Sequence, residues 1–202
     1  MRRFRYLTLA FVFFSAFASL AQAQSGDAAP LAERALGDPG APVTIIAYES
    51  LSCPHCAAFH RDTFEALKAR YVDTGEVRFI FREFPLNGPA VRASQVARCT
   101  SEGRFFGLVQ ILFRAQAQWV RSPDIDNQLA RIGRFAGLST DKLDASLADE
   151  ALVNGILESR QQGEALFGVR STPSFVIDGT LYEGNRSLEE FAAIIDPLLA
   201  GQ

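Results

Sequence analysis

The stretch Val43-Thr44-Ile45-Ile46-Ala47-Tyr48-Glu49-Ser50-Leu51-Ser52-Cys53-Pro54-His55-Cys56-Ala57-Ala58-Phe59-His60 decides the fold. Its first six residues, apolar and β-rich, read as a buried strand, and Ala57 to Ala69 carries the spacing of a helix. Between them stand two cysteines at i and i+3 of a helix start, where they can open and close one disulfide. Pro54 suits the first helical position, because its missing N–H removes no hydrogen bond there. Cys53 then falls at the N-cap, beside unpaired backbone N–H groups and the positive end of the helix dipole, and both favour a thiolate. Strand, turn, Cys-x-x-Cys and helix in that order point to dithiol redox chemistry.

Two other uses of these residues compete with it. A purely structural disulfide would close a short loop and contribute little, since the stabilisation grows with loop length. Zinc is the second: Cys53, Cys56 and His60 can share one side of a helix start, with Cys99 as a fourth ligand. Structural zinc sites show paired Cys/His clusters, and here the second half is a lone cysteine, so no metal is expected. His55 reads either as an ordinary exposed side chain or as an imidazole that donates a hydrogen bond or positive charge to the Cys53 thiolate. The chemistry favours the second. His60, one turn beyond Cys56, reads as a solvated or packed helix residue.

Upstream, Arg2, Arg3 and Arg5 precede the apolar run Leu7 to Leu20 and the small-x-small signal Ala21-Gln22-Ala23. This is the pattern of a cleaved secretory signal over residues 1–23, with an apolar core too short for a comfortable membrane span. An exported, periplasmic protein beginning near Gln24 is expected, and with no cysteine after the cleavage point a lipoprotein anchor is not indicated. Removing the signal leaves about 180 residues, enough for one domain, or for a core with one large insertion. It also takes the net charge from −3 to about −6, so no basic nucleic-acid surface is implied. Disulfides persist in exported compartments, and three cysteines leave one over. That one is Cys99, with the expected role of a small buried hydrophobe.

Residues 24–41, rich in Ser, Gly, Pro and Ala, read as a flexible lead-in with a turn of helix at Leu31 to Ala35. Beyond the first helix, Asp73-Thr74-Gly75 closes it and Glu76 to Arg82 alternates as a strand, which Pro85-Leu86-Asn87-Gly88-Pro89 breaks. From Ala90 to about Gly168 the apolar spacing is helical throughout. Residues 89–168 therefore form an inserted subdomain of four or five helices, flanked by the core segments 42–88 and 169–202. Within it, Ser122-Pro123-Asp124 reads as a helix start capped by Ser122, with Pro123 at the first position. Ser174 to Ile177 and Thr180 to Tyr182 flank Asp178-Gly179, a hairpin signal. A final helix from Ser187 to Leu199 opens on a capping box of Ser187 and Glu190, and Pro197 is expected to bend or end it.

In this order the residues resemble the DsbA-like thiol:disulfide oxidoreductases of bacteria, a branch of the thioredoxin fold. The resemblance rests on Tyr48 to His60, on the helical insertion after the second strand, on Val169-Arg170-Ser171-Thr172-Pro173-Ser174-Phe175, and on the Asp178-Gly179 hairpin before a C-terminal helix. It implies an α/β, thioredoxin-like fold with a large helical insertion. It also implies catalysis by Cys53 and Cys56 with His55, and substrate contact through Pro54, Thr172 and Pro173. Pro173 would be the cis-proline that faces the disulfide, although the residues alone restrict it only to a strand edge, bulge or start. No cofactor is implied. The implied partners are unfolded or partly folded cysteine-containing exported proteins and a membrane redox partner that reoxidises the enzyme, which is expected to be a monomer.

The chain departs from the family at Ala47. Many thioredoxin-fold oxidoreductases place a buried acid six residues before the first cysteine, where it assists proton transfer from the second thiol. Glu49 is the nearest acid here and shares a strand face with Ala47, but an exposed or salt-bridged glutamate is the plainer reading. Some relatives also carry a second disulfide in the insertion, for which Cys99 has no partner. A disulfide isomerase or reductase is the alternative function. Thr172 before Pro173 is compatible with isomerase-type relatives, but residues 24–41 are too short for their added dimerisation domain. A third is a non-catalytic metal-binding or holdase protein using the same thiols.

Overall fold

Strand β2 (Val43–Glu49) lies at the centre of a five-stranded sheet in a computed structural model that describes residues 31–201. The expected signal sequence, and the lead-in as far as residue 30, lie outside the described residues. Parallel to β2 runs β3 (Val77–Glu83), and on its other side β4 (Ser174–Ile177) runs antiparallel. Next to β4 comes β5 (Thr180–Glu183), joined to it through Asp178 and Gly179 at φ of +47° and +77°. Two left-handed residues match the twist that a two-residue hairpin needs.

The far edge differs from the sequence reading. Leu31 to Ala35 is not a helical turn: Arg34–Leu36 forms strand β1, antiparallel to β3 with Leu36 opposite Phe79. Local helix propensity there yields to the unpaired backbone edge of β3. The Glu33 carboxylate holds the register by accepting from Arg78 at 2.6 Å and from Arg82 at 3.1 Å.

After β2 the chain enters α1 (Pro54–Asp62), then α2 (Phe64–Leu67), which passes into a π turn over Lys68–Val72. The break at Thr63, where φ is −124°, gives its hydroxyl to the Arg186 carbonyl at 3.0 Å. Phe59 anchors α1 on the sheet. Its ring lies 4.9 Å from that of Phe175 and stacks toward Phe79 at 6.4 Å, and all three are fully buried. Each such side chain contributes about 2–3 kcal/mol through burial.

The insertion comprises α3 (Gly88–Arg98), α4 (Glu102–Arg114), α5 (Gln116–Trp119), α6 (Ile125–Phe135), α7 (Thr140–Ala148) and α8 (Glu150–Phe167). The short α5 makes one piece more than the sequence suggests. Helix α6 is capped two residues later than expected: Asp124 accepts from the Asn127 N–H at 3.2 Å, while Ser122 Oγ accepts from the Asp124 N–H. An aspartate there satisfies an orphan donor and also meets the positive end of the dipole, which leaves Pro123 before the helix. A buried ion pair ties α3 to the sheet, Arg98 to Glu83 at 2.5 and 2.7 Å. On the opposite sheet face α8 approaches Tyr48 so closely that a Cβ on Gly163 would stand 2.6 Å from the ring.

Helix α9 (Leu188–Ala200) opens on the Ser187–Glu190 capping box and continues through Pro197. The proline forfeits one hydrogen bond but does not end the helix. Phe191 and Ile195 before it are fully buried, and Leu198 and Leu199 after it still pack on the core. Among the described residues no helix is long and apolar enough to cross a membrane.

Candidate active site

Strand β2 delivers its last residue, Glu49, to a three-residue link that leads into α1. Ser50 accepts the Cys53 N–H on its carbonyl at 2.9 Å, and its hydroxyl accepts the Leu86 N–H at 3.3 Å. From the insertion, the buried amide of Gln116 donates to the carbonyls of Leu51 at 2.8 Å and Cys53 at 3.0 Å. The link is thus pinned by its own strand and by α5. Gln116 escaped the sequence reading, because a glutamine between Phe113 and Trp119 shows no target until the helices are placed.

Cys53 is the N-cap of α1 at φ −81° and ψ 122°, with Pro54 beginning the helix. Cys53 is 5% exposed and Cys56 is sealed at 0%. Pro54 and His55 are exposed. Across from Cys53 stands the segment before β4, where the Thr172-Pro173 bond is cis. Cys53 Sγ donates to the Thr172 carbonyl at 3.2 Å, so Cys53, Cys56, Thr172 and Pro173 meet at one point.

The two thiols are electrostatically unlike. The Cys56 thiol donates to the Cys53 sulfur and does most to bring its pKa from 9.0 to about 5; burial opposes this. The Thr172 side chain and the backbone N–H groups of Cys56 and His55 add to the lowering. The Thr172 hydroxyl is buried without a partner in the thiol form, which leaves it free to donate once the sulfur is a thiolate. The His55 ring makes no hydrogen bond among the described residues, so its contact with the sulfur is through the backbone. Burial pushes Cys56 the other way, well above 9.0, and its bond to Cys53 and the charge of Glu49 reinforce the rise.

Of the two alternatives the sequence leaves for each, Glu49 takes the ion-paired one and His60 the packed one. Neither is solvated: Glu49 Oε2 and His60 Nε2 are 2.9 Å apart, with both side chains sealed from solvent. The His60 ring stacks on Phe113 at 4.4 Å and lies against Phe64 at 4.6 Å. This engagement separates the four donors of the zinc reading, since Cys99 sits in the insertion with Sγ donating to the Lys142 carbonyl at 3.3 Å. Cys99 is half-buried and not the sealed hydrophobe expected. Among the described residues no three His, Cys, Asp or Glu side chains are grouped to hold a metal ion.

A Cys-x-x-Cys at a helix start, faced by a cis-proline segment on a mixed sheet with a helical insertion, defines a DsbA-like protein of thioredoxin fold. The family model described as thioredoxin matches residues 31–197, and the chain belongs to that family. It is similar to Wolbachia pipientis alpha-DsbA1, with 29% identity and a TM-score of 0.79 over 85% of this chain and 94% of that one. A protein-disulfide isomerase from Novosphingobium aromaticivorans shares 26% identity and a TM-score of 0.71 over 83% of this chain and 97% of the other. A Rickettsia bellii protein, provisionally named a protein-disulfide oxidoreductase, is 29% identical over 80% of this chain and 62% of its own length. The chain therefore spans about three fifths of the length of the first such relatives.

Proposed function

We propose that this protein is an exported thiol:disulfide oxidoreductase that introduces disulfide bonds into cysteine-containing proteins by exchange at Cys53 and Cys56. The observation that carries the reading is the contrast between the two thiols, Cys53 titrating at about 5 and Cys56 held well above 9.0. In the oxidised protein a substrate thiolate bonds to Cys53 Sγ, and the Cys53–Cys56 bond breaks with its electron pair on Cys56. A second substrate thiolate then attacks the substrate sulfur of this mixed disulfide and releases Cys53 as a thiolate. The substrate loses two electrons and the protein gains them. A low Cys53 pKa makes it the better leaving group and stabilises the reduced enzyme, so the protein disulfide is an oxidant. DsbA itself is the reference case of this poise, so the direction is a property of the family as well as a consequence of the geometry.

Pro54, Thr172 and Pro173 border the sulfur and serve as the substrate-contacting surface. His55 supplies its backbone N–H, and its exposed imidazole adds positive charge beside the thiolate when protonated. Export through residues 1–23 places the enzyme in the periplasm as a monomer, where its clients are unfolded or partly folded proteins and a membrane redox partner restores the disulfide. A second reading, disulfide isomerase, is favoured by the likeness to the Novosphingobium isomerase and by Thr172 before Pro173.

Turnover on a reduced, unfolded multi-cysteine protein tests this, with a scrambled-disulfide substrate alongside to separate oxidase from isomerase. Cys53→Ser abolishes exchange, Cys56→Ser accumulates mixed disulfides through Cys53, and Cys99→Ala retains turnover. Adducts trapped through Cys56 in the wild type would overturn the assignment, and faster rescue of the scrambled substrate would select the isomerase.

A further inference from the structure

The outer face of the helical insertion is opposite in sign to the chain as a whole. The chain carries a net charge of −3, yet the solvent-facing stripe of α4 reads Gly103, Arg104, Gly107, Ile111 and Arg114, at i, i+3 and i+4 spacing, and holds no acid. A Cβ at Gly103 or Gly107 would meet nothing within 4 Å, so the helix backbone is bare there. An open groove of about 310 Å³ runs beside it over Leu108, Ile111 and Ala136. Arg104 donates to the Ala136 carbonyl, which ties the start of α4 to the end of α6. Phe135, the residue before Ala136, is the last of α6 and is 84% exposed. Among the described residues every other phenylalanine is buried or half-buried. Arg131 and Arg134 share the exposed face of α6 with Phe135, and their side chains, like that of Arg114, make no hydrogen bond or ion pair among the described residues. The acids next along the chain are Glu102, whose charge acts on Arg34, and Asp141, beside Lys142.

We propose that this face, with Phe135 at its tip and Arg104, Arg131 and Arg134 around it, docks the protein on an anionic phospholipid surface. A single exposed apolar side chain needs no explanation. One that stands among unpaired arginines has the make-up of an interfacial anchor, with the ring at the acyl boundary and the cations at the phosphates. The bare backbone at Gly103 and Gly107 lets the surface come close to α4.

Lipid is favoured over an acidic protein segment by the exposure of Phe135. Its ring projects from the surface, which a fluid interface takes in without a shaped recess, whereas a protein partner has to supply a cavity for it. Arg114, at the other end of α4, stands two residues before Gln116, which holds the Cys53 carbonyl at 3.0 Å, so the docked helix leads into the active-site link. Docking of this kind is independent of the exchange reaction and would keep the enzyme beside its membrane redox partner.

The test is co-sedimentation of the exported form, beginning at Gln24, with vesicles of phosphatidylglycerol and phosphatidylcholine in equal parts and with vesicles of phosphatidylcholine alone. Without residues 1–23 the apolar run Leu7 to Leu20 cannot bind lipid in place of the fold. The wild type is expected to bind the anionic vesicles and not the neutral ones, and to be released as added salt shortens the reach of the charges. Phe135→Ser weakens binding about tenfold, the low end of what burial of such a side chain is worth. Arg131→Gln with Arg134→Gln weakens it about 25-fold, at about fivefold for each arginine near such a surface. Leu166→Ser, which removes an exposed apolar side chain outside this face, leaves binding unchanged. All of these variants keep wild-type turnover of a soluble reduced substrate. Failure of the wild type to bind anionic vesicles at low salt overturns the proposal, and so does binding that the phenylalanine and arginine variants retain. Binding of polyglutamate without binding of vesicles assigns the face to an acidic protein segment and overturns it as well.

Discussion

Acid should reverse the order of stability of the reduced and oxidised protein. In the reduced form Cys53 titrates at about 5, against 9.0 for an ordinary thiol. A depressed folded value gives stability that is complete above the unfolded pKa and is lost as pH falls through the folded one. At pH 7 half of the interval between 9.0 and about 5 is expressed, which amounts to about 3 kcal/mol at roughly 1.4 kcal/mol per unit. Cys56 adds nothing at pH 7, because a thiol raised above 9.0 is protonated in both folded and unfolded chains. The oxidised form has no Cys53 proton to lose and gains loop closure instead. For a four-residue loop the chain-entropy account gives about 2 kcal/mol. Reduced protein is then the more stable by about 1 kcal/mol at pH 7, the two forms cross at about pH 6.4, and at pH 5 the oxidised form leads by about 1.5 kcal/mol. Guanidinium melts of both forms, followed through the single tryptophan, Trp119, which is buried, read this directly. A gap between the forms that stays constant from pH 5 to 8 would refute the reasoning, because it would mean that no thiolate is stabilised by the fold.

Two structural substitutions bear on how the site is held. Gln116→Leu strands the carbonyl of Leu51 and leaves that of Cys53 to the Ala57 N–H alone, so it should cost about 1–3 kcal/mol, the cost of one buried unsatisfied group, and slow exchange at Cys53; unchanged melts and rates would show that the clamp is dispensable. Gly163→Ala drives a methyl to 2.6 Å from the Tyr48 ring and should lower stability by about 1–3 kcal/mol through overpacking, with thermal unfolding of the purified variant as the measure.

What could be read from the sequence was local. The Cys-Pro-His-Cys turn, the Ser187–Glu190 capping box and the Asp178-Gly179 hairpin each state their geometry within four residues, since capping and turn chemistry depend on neighbours alone. The Glu49–His60 pair spans a strand end and a helix, and nothing in either residue's surroundings announces the other. Ala47 turned attention to the missing acid six residues before Cys53, whereas a buried acid, Glu49, lies at the end of the same strand face. Strand β1 was illegible for a related reason. Arg34–Leu36 is extended because β3 offers an open edge, and alanine-rich sequence without that edge reads as helix.

The helical insertion was legible as helices and illegible as part of the site. Its α5 gives Gln116 to the carbonyl of Cys53, and its α4 gives Phe113 to the face of His60. The thioredoxin-like strands and α1 place the two sulfurs, but the Cys53 link is also held by Gln116, from the residues inserted between β3 and β4. A dry resolving thiol keeps its high pKa, and a rigid N-cap keeps the N–H groups directed at Cys53. The difference in acidity between two thiols three residues apart is therefore set by the pair itself, the Cys56 thiol and then the helix-start N–H groups lowering Cys53, and burial raising Cys56.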